Sequence, residues 1–200
     1  MLLAIAAVVI AGRWTMRRTD TLGRPRPFPW ISTVLLLSLA GAAIAPWVLR
    51  QRLEARLEQA ASQIVGCSVE VHCQSFGEAF VDVGAEAGYV AFGPDGVPEL
   101  KTLIKREQCS QLRDYLGSDK EQPTPQHVLA VHTLTHEAIH MSGETNEAET
   151  ECRAVKNDAA MAELLGASPE AAKRLATIYW QSFFPRMPDN YRKSGCSGPP

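Results

Sequence analysis

The chain has 200 residues, 46% of them hydrophobic and 21% charged, with a formal net charge of −2. That composition excludes a disordered chain. It carries no basic stripe with interleaved aromatics, which argues against nucleic acid as a partner.

Two uncharged stretches open the sequence. Residues 1–12 form a short apolar segment that admits three readings: a first transmembrane helix, a shallow interfacial segment, or residues ahead of a true start at Met16. In the last case Met16-Arg17-Arg18 begins a signal sequence, and Ala40-Gly41-Ala42 or Ala43-Ile44-Ala45 resembles a cleavage site. Residues 13–27 are basic, with Arg13, Arg17, Arg18, Arg24 and Arg26 against a lone Asp20. No charge then occurs from Pro27 to Leu49. At about 1.5 Å per residue this run reaches across the roughly 30 Å hydrocarbon layer, so 28–49 is expected to be a transmembrane helix. Trp30 and Trp47 lie near its ends, where indoles favour the interface. Only Arg50, Arg52 and Arg56 follow it closely, which by the positive-inside rule makes 13–27 cytoplasmic and 50–200 extracytoplasmic. The expected location is the cell membrane, with the membrane itself as one partner.

The pattern predicts a helix over 50–62, with Leu53, Leu57 and Ala61 at four-residue spacing. Residues 68–72 and 79–83 alternate weakly. Residues 88–92 and 97–104 are stronger strand candidates around the turn Pro94-Asp95-Gly96. Residues 66–104 are therefore expected to form a small antiparallel sheet or hairpin. Helices follow at 105–117, from Pro125 to about Met141, over about 145–165, and from Ser168-Pro169 to about Phe184. The expected class is α+β: a transmembrane anchor, a small sheet, then a mainly helical domain.

All five cysteines lie beyond residue 50, which suits an oxidising compartment. Four can form two bridges. Cys67 and Cys73 could close a small loop, and Cys152 fits a disulfide better than a metal thiolate.

The chemistry concentrates in His136-Glu137-Ala138-Ile139-His140. Two histidines four apart leave one helix face a turn apart, so their nitrogens can reach one Zn2+ at about 2.0–2.1 Å. Glu137 is the candidate general base, placed to hold a zinc-activated water. A break at Ser142-Gly143 is expected to fold the next helix back, setting Glu147 level with His140 and Glu151 level with His136. Either carboxylate can complete the site; Glu147 is preferred as metal ligand, with Glu151 then accepting from a ligand histidine. His132, one turn earlier, is a supporting residue or an alternative ligand. Glu149 is expected to face solvent. His132 and Tyr191 are the candidate donors to an oxyanion.

H-E-x-x-H followed by Asn146-Glu147 and an acid at Glu151 resembles the gluzincin group of zinc metallopeptidases over about 132–155. In that group the second helix supplies a liganding glutamate, often with an acid four residues later, and the gap is usually longer than the six residues here. Residues 134–191 are also similar to uncharacterised actinobacterial membrane-anchored proteins, a likeness that implies no established activity. The function these features imply is membrane-anchored, zinc-dependent hydrolysis of amide bonds in a peptide, a protein or the cell wall. The alternative is a non-catalytic envelope protein in which the helix hairpin is a structural or vestigial metal site.

Overall fold

The computed structural model describes residues 2–16, 19, 22–25, 27–82, 84 and 86–199. Arg17, Arg18, Asp20 and Arg26 of the basic segment lie outside the described residues. The chain divides into two compact units, Met1–Arg52 and Leu53–Pro200.

The first unit holds α1 (Leu2–Met16) and the start of α2 (Trp30–Val65). The apolar part of α2 is long enough and hydrophobic enough to cross a membrane, with a mean hydropathy of 1.9 over its best window. Trp30, Ile31, Val34, Leu35, Leu37, Ile44, Trp47 and Leu49 are all exposed. Such continuous apolar exposure suits lipid and not water. α1 is a shorter apolar helix.

The second unit begins with the polar end of α2 and continues through β1 (Glu70–Cys73), α3 (Phe76–Val81), β2 (Gly88–Phe92), β3 (Pro98–Ile104), α4 (Arg106–Gly117), α5 (Pro125–Met141), α6 (Glu147–Leu164) and α7 (Pro169–Ser182). Two 3-10 turns, Phe184–Arg186 and Asp189–Tyr191, close the chain. The sheet order is β1-β3-β2. β2 and β3 form the expected antiparallel hairpin, but β1 lies parallel to β3, so the sheet is mixed and not antiparallel.

The cause of that difference is α3, which occupies part of the predicted 79–83 strand. Ser75 and Glu78 form a capping box: the Ser75 hydroxyl accepts from the Glu78 N–H at 3.3 Å, and the Glu78 carboxylate accepts from the Ser75 N–H at 2.6 Å. This helix carries the chain across, and the hairpin then enters on the far side of β3. The outer edge of β1 is satisfied by side chains of α2. Val71 N–H donates to Glu58 at 3.3 Å and Cys73 N–H to Glu54 at 2.9 Å.

α5 lies at the centre, packed against the sheet and against α4, α6 and α7. Leu57, Ile104, Leu112, Val128, Val131, Leu134, Met161 and Leu175 are fully buried around it. Cys73–Cys109 joins β1 to α4, and Cys152–Cys196 joins α6 to the tail. Cys67 is free and exposed, so the small 67–73 loop is not a disulfide. Alternation along β1 turns Cys73 inward towards α4, whereas Cys67 sits in the exposed turn after α2.

The Cys152–Cys196 bridge closes 44 residues of chain. Cys196→Ser is expected to cost about 2–5 kcal/mol, read as a lower melting temperature. An unchanged melting temperature would show that the tail is held by other contacts.

Candidate metal centre

Thr124 starts α5. Its hydroxyl accepts from the His127 N–H at 3.1 Å, and Pro125 takes the first helical position, where its missing N–H costs nothing. Four-residue spacing then puts His132, His136 and His140 on one face. α5 ends at Ser142, and Gly143 has φ +106°, a left-handed conformation that glycine adopts without steric cost. The Glu144 carboxylate accepts from the N–H groups of Thr145 and Asn146, tightening the connection. Asn146 caps α6 by accepting from the Glu149 N–H at 3.0 Å. Glu147 is thereby the first residue of α6, and the chain returns along α5.

Two sets of side chains lie close enough to hold a metal ion: His136, His140 and Glu147, and His132, His136 and Glu151. They share His136 but use different ring nitrogens. In the first set, His136 Nε2 and His140 Nε2 are 3.1 Å apart, and Glu147 Oε2 is 3.2 and 3.4 Å from them. Ligand atoms at about 2.0–2.1 Å from a tetrahedral ion stand roughly 3.3–3.4 Å from one another. The triangle therefore has the dimensions of one face of such a site.

The other nitrogen of each histidine fixes its tautomer. His140 Nδ1 donates to the Glu144 carbonyl at 2.8 Å, and His136 Nδ1 donates to Glu151 Oε2 at 3.1 Å. Burial opposes charge on His136, but Glu147 and Glu151 outweigh it and raise its pKa. With Nδ1 of each ring held by its oxygen partner, the two Nε2 atoms and the Glu147 carboxylate converge, and a metal cation could take the place of a proton among them. The donor set of two imidazoles and one carboxylate fits a divalent metal.

The second set already satisfies itself with protons. His132 Nδ1 donates to Asp158 Oδ2 at 2.9 Å and Nε2 to Glu151 Oε2 at 3.0 Å. Burial opposes charge on this ring, but Asp158 and Glu151 outweigh it and push the pKa up to about 10. His132 is an imidazolium with no lone pair to offer. The Tyr179 ring stacks on it with centroids 3.5 Å apart, and the Tyr179 hydroxyl donates to Glu151 Oε1 at 2.5 Å. Burial also works against the Glu151 charge, yet His132, His136 and Tyr179 hold its carboxyl well below the usual range.

Glu137 differs from these paired carboxylates. It is buried, and its Oε2 has no hydrogen-bond partner among the described residues. Burial pushes its pKa up to about 7. This carboxyl can take or give a proton near neutral pH. It borders a cleft of about 310 Å3 lined by α5, by residues 86–90 and Phe92, by Glu147 and Glu151 of α6, and by Met187 and Tyr191 from the tail. Glu147 is the most exposed of the triangle, so the three ligand atoms open towards the cleft.

The structure thus brings His136, His140 and Glu147 together. It sets Glu151 behind His136 and His132 one step deeper. Glu149 lies away from the triangle, partly exposed, and pairs with Lys193 at the surface. Asp158 and Tyr179 complete the support and were not among the sequence candidates. Asp158 had a signal: it falls seven residues after Glu151, on the same buried face of α6. Tyr179 had none, because its place depends on how α7 packs.

Gly88 leaves room for Glu137. A Cβ there would meet Glu137 Cγ at 3.1 Å, its Oε1 at 3.2 Å and Ile104 Cδ1 at 3.0 Å. Gly88→Ala is expected to lower stability by about 1–3 kcal/mol in urea unfolding, through overpacking. Gly77→Ala, which meets nothing within 4 Å, is the control and should stay within about 0.5 kcal/mol of wild type. Equal effects would show that the Gly88 contact yields without cost.

The fold and site define an α+β protein with a histidine–carboxylate cluster at the floor of a cleft. No family model matches the chain, and no curated protein or solved structure matches it significantly.

Proposed function

We propose that this chain is a membrane-anchored, zinc-dependent metallopeptidase that hydrolyses amide bonds in a peptide, protein or cell-wall substrate. The observation that carries this reading is the triangle of His136 Nε2, His140 Nε2 and Glu147 Oε2, opening to a cleft beside a buried Glu137 whose Oε2 has no hydrogen-bond partner among the described residues. His136, His140 and Glu147 would hold the ion. Zinc in such a site polarises a carbonyl and makes a nearby water more acidic.

The chain's own residues do the rest. Glu137 accepts the proton of the attacking water and passes it to the leaving amine, the work of a carboxyl with a pKa near 7. Glu151 orients His136, and the Glu144 carbonyl orients His140. The pKa of Tyr191 is raised, chiefly by burial, so the phenol keeps its proton at the rim of the cleft, where it can donate to a developing oxyanion. The H-E-x-x-H helix and the helix bearing Glu147 form the hairpin of a gluzincin-like site.

The apolar part of α2 supports a membrane anchor, and the greater number of arginines before it supports a cytoplasmic N-terminal side. Two disulfides in the second unit support an extracytoplasmic domain. Elemental analysis of the purified full chain tests the metal. About one zinc per chain is expected, with most of it lost in His136→Ala and His140→Ala. A chain purified without chelator that holds no zinc, and takes up none from a zinc buffer, would overturn the proposal.

A further inference from the structure

α3 exposes its large apolar side chains, which is unusual for a helix on a water-soluble domain. Phe76, Phe80 and Val81 are 73%, 85% and 77% exposed, and none of the six residues is buried. Phe76 and Phe80 share one face by their four-residue spacing. The one charged residue, Glu78, is also exposed, and its carboxylate is engaged locally: it accepts from the Ser75 N–H and bonds His72 Nε2 at 3.0 Å. Ala79 is half-buried.

The position of α3 indicates what covers that face. β1 runs antiparallel to the polar end of α2, because Val71 N–H reaches Glu58 and Cys73 N–H reaches Glu54. β1 therefore leads back towards Leu53, where the second unit begins. His72 fixes α3 there, with Nδ1 3.4 Å from Glu54 and Nε2 on Glu78. Leu49, the last residue of the uncharged run, precedes Glu54 by five residues, which span at most about 17 Å even when extended. The Arg106 guanidinium lies 5.2 Å over the Phe76 ring, which sets a cation beside the apolar face. A large apolar face flanked by arginine matches the acyl-chain and phosphate layers of a bilayer.

We propose that α3 is a second membrane contact, with Phe76, Phe80 and Val81 inserted into the outer leaflet of the bilayer that α2 crosses. This rests on the reading of α2 as a membrane anchor. Two points of attachment would hold the domain in one orientation on the membrane.

The test uses the full chain in vesicles of phosphatidylcholine and phosphatidylglycerol. Single spin labels are attached in a Cys67→Ser background at Phe80→Cys, at Val81→Cys and, as an aqueous control, at Lys173→Cys on α7. These three side chains are exposed, so labelling disturbs no core. Collisions with oxygen, which concentrates in lipid, are compared with collisions with a water-soluble nickel chelate. The expected oxygen-to-nickel ratio at positions 80 and 81 is several-fold above that at 173. Ratios equal to the control would overturn the proposal while leaving the anchor intact, provided that the chain resists carbonate extraction. Shielding from both reagents would mean that a protein covers the face, and would overturn it equally. A chain released by carbonate would remove the anchor and this inference together.

Discussion

Glu137→Gln is expected to lower amide hydrolysis by a factor of about 10²–10⁴ while zinc content and folding stay unchanged. Glutamine keeps the shape of the side chain, so its close fit beside Gly88 survives. It loses the one property the mechanism requires, a carboxyl that exchanges a proton near neutral pH. Burial is what supplies that property, holding the Glu137 pKa at about 7. Glu137 is not in the ligand triangle, so the variant should retain its metal. Turnover of a peptide library, followed by mass spectrometry and paired with elemental analysis of the same sample, reads both quantities. Unchanged turnover with zinc present would remove Glu137 from the proton path. Loss of zinc would make it a ligand. A structural metal site predicts another pattern: Glu137→Gln is silent, while His136→Ala destabilises the domain.

The last helices of the second unit were legible largely because of boundary signals in their sequence. Thr124-Pro125 and Ser168-Pro169 mark the starts of α5 and α7, and both hydroxyls make the capping bond; α6 proves to be capped by Asn146, and α4 begins at Arg106 without a side-chain cap. The sheet was less legible. Weak alternation at 79–83 suggested a strand, yet Ser75 and Glu78 already carried the capping-box spacing of a helix start. Local capping prevailed over a short apolar pattern, and with α3 in place β1 became parallel to β3. The disulfides could not be paired in advance. Pairing depends on which cysteines the fold turns inward, and Cys67 lies in an exposed turn.

The site divides in the same way. The histidine pair follows from helical spacing, and the positions of Glu147 and Glu151 follow from the sharp return at Gly143. The layer behind them is tertiary. His132 looked like a spare ligand because spacing shows only that it shares a face with His136. It becomes a cation because Asp158, two helical turns beyond Glu151, closes on its other nitrogen.

That buried cation makes His132→Ala the most destabilising substitution expected near the site. It leaves Glu151 and Asp158 buried without their shared positive partner, a loss of about 3–5 kcal/mol. The cost should depend on pH. The ordinary pKa of the ring is 6.5, and in the folded protein it is pushed up to about 10. Its contribution is therefore complete below pH 6.5 and is lost as pH rises through about 10. Glu151 works in the opposite sense. Its folded value lies below the ordinary 4.5, so its contribution is complete above pH 4.5 and fades as pH falls further. The stability gap between wild type and His132→Ala should be widest between pH 4.5 and 6.5 and narrow on either side. Urea unfolding of the full chain in detergent, with chelator present so that both proteins are metal-free, measures that gap at pH 5.5, 7.5 and 9.5. A gap that stays constant across the series would show that His132 is neutral in the folded state. Glu151 would then reach His136 without a cation behind it.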